Sequence, residues 1–152
     1  MIYADTSFLF SFYAYDDNTA AASRAYREDG RRPLLFTPWQ RFELRNSVRL
    51  SECILKRSAQ DVPFRRGNVY RQIDSDLAGG ILRHVEPDWL DTFREAERLS
   101  AIHTERLGSA AVDLWHVASA IVLRADTFWT FDGDQFGLAK AVGKFSVPLL
   151  KS

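Results

Sequence analysis

Several chemistries are missing from this sequence. Its one cysteine, Cys53, closes no internal disulfide and supplies no thiolate cluster, so a disulfide-held scaffold and a cysteine zinc site are both excluded. A lone thiol fits a reducing compartment, and Cys53 is expected as a small, buried helix residue. There is no glycine-rich phosphate loop and no Gly-x-Ser-x-Gly, which removes P-loop nucleotide hydrolysis and the esterase nucleophile elbow. The histidines, His84, His103 and His116, lack the pair spacing of a helical zinc site. The longest charge-free stretch near the start, Thr6 to Tyr15, is ten residues with no basic segment ahead of it. That is too short to cross a bilayer and wrongly flanked for a secretory signal, so a cytoplasmic protein without a membrane span is expected.

What is present describes a folded chain. With 46% apolar and 26% charged residues among 152, the composition suits one globular domain, residues 1–152, around a single core. The net charge of zero hides a segregation. Arg24 to Arg71 carries 12 basic against 5 acidic residues, and the remainder carries 8 against 15. A basic segment beside an acidic one suits a phosphate backbone held next to a carboxylate site, although solvent faces of helices are often basic without a ligand.

Hydrophobic patterning alternates strand and helix. Ile2 to Asp5 reads as a strand ending in an acid, and Thr6 and Ser7 precede an apolar helix. Ala20 to Glu28 reads as a helix, Leu34 to Thr37 as a strand, and Trp39 to Lys56 as a helix with Phe42, Val48 and Ile54 inward. Asp61 to Leu77 is expected as a further helix, then Ile81 to Val85 as a strand. Asp88 to Arg106 follows as an amphipathic helix with Trp89, Phe93, Ala96, Leu99 and Ile102 on its apolar face. Val112 to Leu123 is a nearly all-apolar helix; Thr127 to Phe131 and Phe145 to Leu149 are the last strands, around a helix from Gln135 to Val142. Strands separated by helices predict an α/β fold with a parallel sheet covered on both faces. The first helix is apolar all round at Phe8, Leu9, Phe10, Phe12 and Tyr13, so its far side is expected to need a partner protein as cover.

In such sheets functional groups collect beyond the carboxyl ends of the strands. That rule selects Asp5 after the first strand and Asp132 and Asp134 after the strand at Thr127. Asp113 opens the apolar helix, and Glu43 lies early in the helix after the second strand. Taken singly, Asp5 and Asp113 are also good helix caps. Together, Asp5, Glu43, Asp113 and Asp132 are costly neighbours: two like charges about 4 Å apart repel by roughly 4 kcal/mol at an effective dielectric near 20. A cation relieves this, and an all-oxygen donor set favours Mg²⁺ or Mn²⁺. The chemistry that follows is phosphodiester hydrolysis. Asp132-Gly133-Asp134 starts like a calcium loop, but Phe136 and Gly143 occupy ligand positions, which rejects an EF-hand. His116, three residues after Asp113, reads as bonded within its helix or as a support behind the site. Trp115 and Trp129 read as packing residues rather than base platforms. Arg41 and Arg45, four apart and flanking Glu43, are expected to hold phosphates beside the cut.

The segments Ile2-Tyr3-Ala4-Asp5-Thr6-Ser7, Phe42-Glu43-Leu44-Arg45-Asn46, Asp113 through Ala120 and Thr130-Phe131-Asp132 together resemble the PIN domain family, and the size is similar to its VapC-type toxins. The resemblance implies a three-layer α/β/α fold on a five-stranded parallel sheet. It further implies a Mg²⁺- or Mn²⁺-dependent endoribonuclease, the toxin half of a toxin and antitoxin pair, with RNA as substrate, an antitoxin as partner and a homodimer as assembly. By the same resemblance Asp5, Asp113 and Asp132 hold the metal, Glu43 binds or positions through water, and Thr6 and Ser7 orient the first aspartate or touch phosphate. Many members carry another acid where this chain has Gln135, so either Asp132 or Asp134 completes the site. Two other readings stay open: a housekeeping RNA-processing nuclease, and a module on the same fold that binds RNA or protein without catalysis.

Overall fold

Strand β1 (Ile2–Ala4) is a three-residue run with every side chain buried, and it occupies an inner position of the sheet. The computed structural model describes residues 1–150, and the remaining elements follow in the order α1 (Thr6–Tyr13), α2 (Thr19–Glu28), β2 (Leu34–Phe36), α3 (Pro38–Arg57), α4 (Arg66–Ala78), β3 (Leu82–His84), α5 (Trp89–Leu107), α6 (Ala111–Val122), β4 (Thr127–Trp129) and α7 (Gly133–Val142). All strand pairings are parallel and the order is β3-β2-β1-β4. Side-chain alternation along β1 sends Ile2 and Ala4 into one core with α1 to α4, and Tyr3 into a second core with α5 to α7. The architecture is therefore the expected three-layer α/β/α sandwich.

The sheet has four strands among the described residues rather than five. At Phe145 to Leu149 only Ser146 pairs, bridging to Thr127: Phe128 N donates to Ser146 O at 2.8 Å and Ser146 N donates to Asp126 O at 2.9 Å. The next donor in that ladder would be residue 148, and Pro148 has no N–H. Helix α4 begins at Arg66, not Asp61, because Pro63 interrupts the segment and disfavours helical backbone in the residue before it.

Four packing expectations change. On α3 the buried stripe is Gln40, Leu44 and Val48, four residues apart, whereas Phe42 and Ile54 are 62% and 52% exposed. Six-residue steps carry a helix 240° round, so Phe42, Val48 and Ile54 cannot share a face. On α5 the buried residues are Thr92, Leu99 and His103; Phe93 and Ile102 are exposed and Trp89 lies at the flank. Cys53 is exposed on α3. The far side of α1 is covered largely by the chain itself, with Phe10 edge-on to Phe64 at 6.2 Å and Phe12 against Tyr26 at 5.3 Å. No helix among the described residues is long and apolar enough to cross a membrane.

Candidate active site at the switch point of the sheet

The chain crosses from β1 to β2 to β3 in one direction and then returns to place β4 on the other side of β1. The reversal opens a crevice at the carboxyl ends of β1 and β4, the usual site of function in an open parallel sheet. Asp5 ends β1 there. It caps α1, accepting from Phe8 N at 2.9 Å, from Ser7 Oγ at 2.7 Å and from Thr130 Oγ1 at 2.6 Å, and is 3% exposed. Burial holds its carboxyl above the ordinary carboxylate range despite these donors.

Thr130 ties the two strand ends together, since the hydroxyl that donates to Asp5 also accepts from Asp132 N at 2.9 Å. Asp132 caps α7, its Oδ1 accepting from Asp134 N at 2.8 Å and Gln135 N at 2.9 Å. Gln135, which by the resemblance stands where many members carry an acid, is buried and donates through Nε2 to Asp113 O at 2.9 Å. It joins α7 to α6 rather than adding a carboxylate. Asp113 accepts from Ala110 N at 3.2 Å, and burial, then the nearby charge of Asp132, hold it above its ordinary range. Among the described residues no lysine or arginine forms an ion pair with Asp5, Asp113, Asp132 or Asp134.

Glu43 reaches the same region from α3. The start of α3 is fixed by Pro38, by a reciprocal cap between Thr37 and Gln40, and by Gln40 Nε2 donating to Ala4 O at 2.6 Å. Glu43 Oε2 accepts from Thr6 Oγ1 and pairs with His116 Nε2 at 2.7 Å. Burial would raise its pKa, yet the bond and charge of His116 and the Thr6 hydroxyl bring it below the usual value. His116 therefore bonds across to α3, not within its own helix. Its other nitrogen, Nδ1, lies 2.9 Å from the Tyr3 hydroxyl. Sequence reasoning gave Tyr3 no role; the available signal was its place on β1 two residues before Asp5.

An open groove of about 640 Å³ runs from these residues, lined by Thr6, Glu43 and Asp132 and by the apolar Phe10, Leu50 and Ile54. Beside Asp113 and Glu43 lies an aromatic cluster in which Trp115 stacks on Trp89 at 5.8 Å and meets Trp39 and Phe93, the last 58% exposed. Trp115 packs there at the surface, whereas Trp129 is a core residue. Arg41 and Arg45 are not brought to the acids. Both guanidinium groups lie 4.0 Å from Asp74 on α4, because two residues along a helix turn through 200° and put them opposite Glu43.

The aspartates fit a hard divalent cation in donor type, being oxygen-only and, among the described residues, without a lysine or arginine partner. As arranged, no three acidic or histidine side chains among the described residues stand close enough to share one ion. Asp5 and Asp132 each spend an oxygen on a helix N-terminus.

A four-stranded parallel sheet with acids gathered at its switch point defines a class of α/β proteins built to work at that edge. The family follows from a direct match: the PIN domain model covers residues 2–141, and the chain belongs to that family, whose members are typically nucleases. Among solved structures the fold is similar to FitAcB from Neisseria gonorrhoeae, with a TM-score of 0.62 and 17% identity over 97% of this chain and 96% of that one. PAE2754 from Pyrobaculum aerophilum is also similar, with a TM-score of 0.59 and 17% identity over 96% of this chain and 81% of that one. No curated protein matches the sequence significantly.

Proposed function

We propose that this PIN domain is a Mg²⁺- or Mn²⁺-dependent endoribonuclease, the toxin of a toxin and antitoxin pair acting in the cytoplasm. The observation that supports the reading is that the Thr130 hydroxyl bonds both Asp5 and the Asp132 backbone while Asp113 feels the charge of Asp132, with no lysine or arginine among the described residues paired to any of the three. Asp5 is buried without a basic partner and Asp113 is partly buried, and keeping carboxylates in such places is costly unless the charge has a use. Asp5, Asp113 and Asp132 would hold the metal, with Glu43 acting through water. When bound, such an ion activates water as a nucleophile and offsets charge on the phosphoryl transition state. Ser7 and Thr130 orient Asp5; Thr6 and His116 orient Glu43.

The groove suits a protein inhibitor, because its apolar Phe10, Leu50 and Ile54 run up to Glu43 and Asp132. An antitoxin segment with an apolar stripe and a terminal basic residue would fill it and block the acids. The exposed Phe42, Leu90 and Phe93 beside the tryptophan cluster suit a homodimer contact. The resemblance of the four sequence segments to the PIN domain, and of the chain's size to VapC-type toxins, supports both assignments.

The test is cleavage of a single-stranded RNA by the purified chain with Mn²⁺. Wild type is expected to cut, chelation to stop it, and Asp113→Asn to lower the rate by about a thousandfold, roughly 4 kcal/mol of transition-state stabilisation. An Asp113→Asn protein as fast as wild type defeats the assignment.

A further inference from the structure

The buried pair behind Glu43 is not explained by metal binding. His116 is 2% exposed and meets the Glu43 carboxylate, and the fully buried Tyr3 meets His116, so two polar groups have been taken out of water behind one carboxylate. Each is placed by the element that also supplies an acid. Tyr3 precedes Asp5 by two residues on β1, and His116 follows Asp113 by three on α6, which puts it one turn behind on the same helix face. Helix α3 brings Glu43 to meet them.

We propose that Tyr3 and His116 form a positioning relay that fixes the Glu43 carboxylate in one orientation toward the groove. This rests on the nuclease reading of Glu43. The bonds are directional. An ionised Glu43 Oε2 only accepts, so His116 Nε2 at 2.7 Å is the donor; in the singly protonated ring Nδ1 is then an acceptor, 2.9 Å from the Tyr3 hydroxyl that can donate to it. The phenol thereby selects the tautomer, and the Tyr3 ring, edge-on at 5.9 Å and 68°, holds the imidazole plane. Thr6 Oγ1 donates to the same Oε2. Both bonds fall on Oε2, the Trp39 indole also lies beside the carboxylate, and Oε1 takes no bond from Thr6 or His116 in the groove that Glu43 lines. A carboxylate held on one oxygen by two partners loses the rotamer freedom that a solvent-exposed glutamate keeps, so the orientation is set before any ligand arrives.

The relay makes a different prediction from simple packing. In the metal-free protein at neutral pH, ¹H–¹⁵N spectra should find the His116 proton on Nε2, and Tyr3→Phe should shift the ring toward a mixture of tautomers. With Mn²⁺ and RNA, His116→Ala should lower kcat by about 10- to 100-fold and weaken Mn²⁺ binding by about tenfold, with KM unchanged. His116→Gln should recover most of both, because its amide N–H can replace the Nε2 donor, and Tyr3→Phe should fall between. Gln and Phe keep the core filled, so they carry the test if the alanine variant fails to fold. A proton on Nδ1 in the wild type, or His116→Gln and Tyr3→Phe proteins both indistinguishable from wild type in kcat and Mn²⁺ affinity, overturns the relay. Glu43→Gln separates the two readings. If it is inactive while the His116 variants are fully active, the relay alone fails; if it cuts like wild type, Glu43 has no part in the nuclease and the relay has no catalytic purpose.

Discussion

The two ends of the sheet treat carboxylates in opposite ways. At the amino end of β1 and β4, Asp126 pairs with the chain's own N-terminal amine and with Arg32 at 3.0 Å, and Arg32 also binds Asp29 at 2.7 Å. The amine, followed by Thr127 and Arg32, brings the Asp126 pKa to about 2, even though the group is 56% exposed. At the carboxyl end Asp5 and Asp113 have hydrogen bonds but no cation, and burial shifts both upward. One end is electrostatically finished and the other is held open. The same strands position both, so the contrast does not come from the fold itself. It comes from where basic residues were placed.

The largest expected break in that contrast is the addition of a divalent ion. Mn²⁺ at a hundred times its dissociation constant should stabilise wild type by about 2.7 kcal/mol, a Tm rise of roughly 5–10 °C for a chain of this size. Asp5→Asn should lose that rise, and a thermal shift series reads it directly; a mutant that still responds would place the ion elsewhere.

A second measurement concerns pH. Asp5 has a raised folded pKa, so its contribution to stability is fully present below the unfolded value near 3.9 and is lost as pH rises through the folded value. Metal-free Asp5→Asn should therefore be at least as stable as wild type at pH 7, since the amide keeps the cap to Phe8 without a buried charge. The advantage should vanish in acid. Denaturant melts across pH decide it, and a mutant less stable than wild type at neutral pH would mean that the ionised carboxylate is well satisfied.

The smallest effect belongs to the finished end. Asp126 has a depressed pKa, so its contribution is present above about 3.9 and is lost as pH falls through about 2. Because the pair is solvent-exposed, Asp126→Asn should cost less than about 1 kcal/mol, and less again in high salt. A larger loss, insensitive to salt, would remove the contrast between the two ends.

Much of this was legible before any coordinates. Short apolar runs at Ile2, Leu34, Leu82 and Thr127 mark strands because a sheet covered on both faces needs little else. Asp5 and Asp132 were legible from their place just after two of those runs. Helix faces were read less well. Phe42 and Phe93 are apolar and look like core, yet helix rotation turns both outward. The last strand failed on one residue, Pro148, whose missing donor matters only once the pairing register is known. Arg41 and Arg45 were misplaced for a related reason: proximity in sequence to Glu43 is the opposite of proximity on a helix.

The amino-acid order by itself determined the alternation of strands and helices, the parallel sheet that follows from it, and which carboxylates stand at the strand ends. Those depend on local periodicity and on the reach of a crossover connection. Tertiary structure alone decided that His116 turns to Glu43 and Tyr3, that Thr130 joins Asp5 to Asp132, and that Arg41 and Arg45 face Asp74. Hydrogen bonds and ion pairs between distant segments depend on ångström-scale distances set by packing, and no spacing along the chain encodes them.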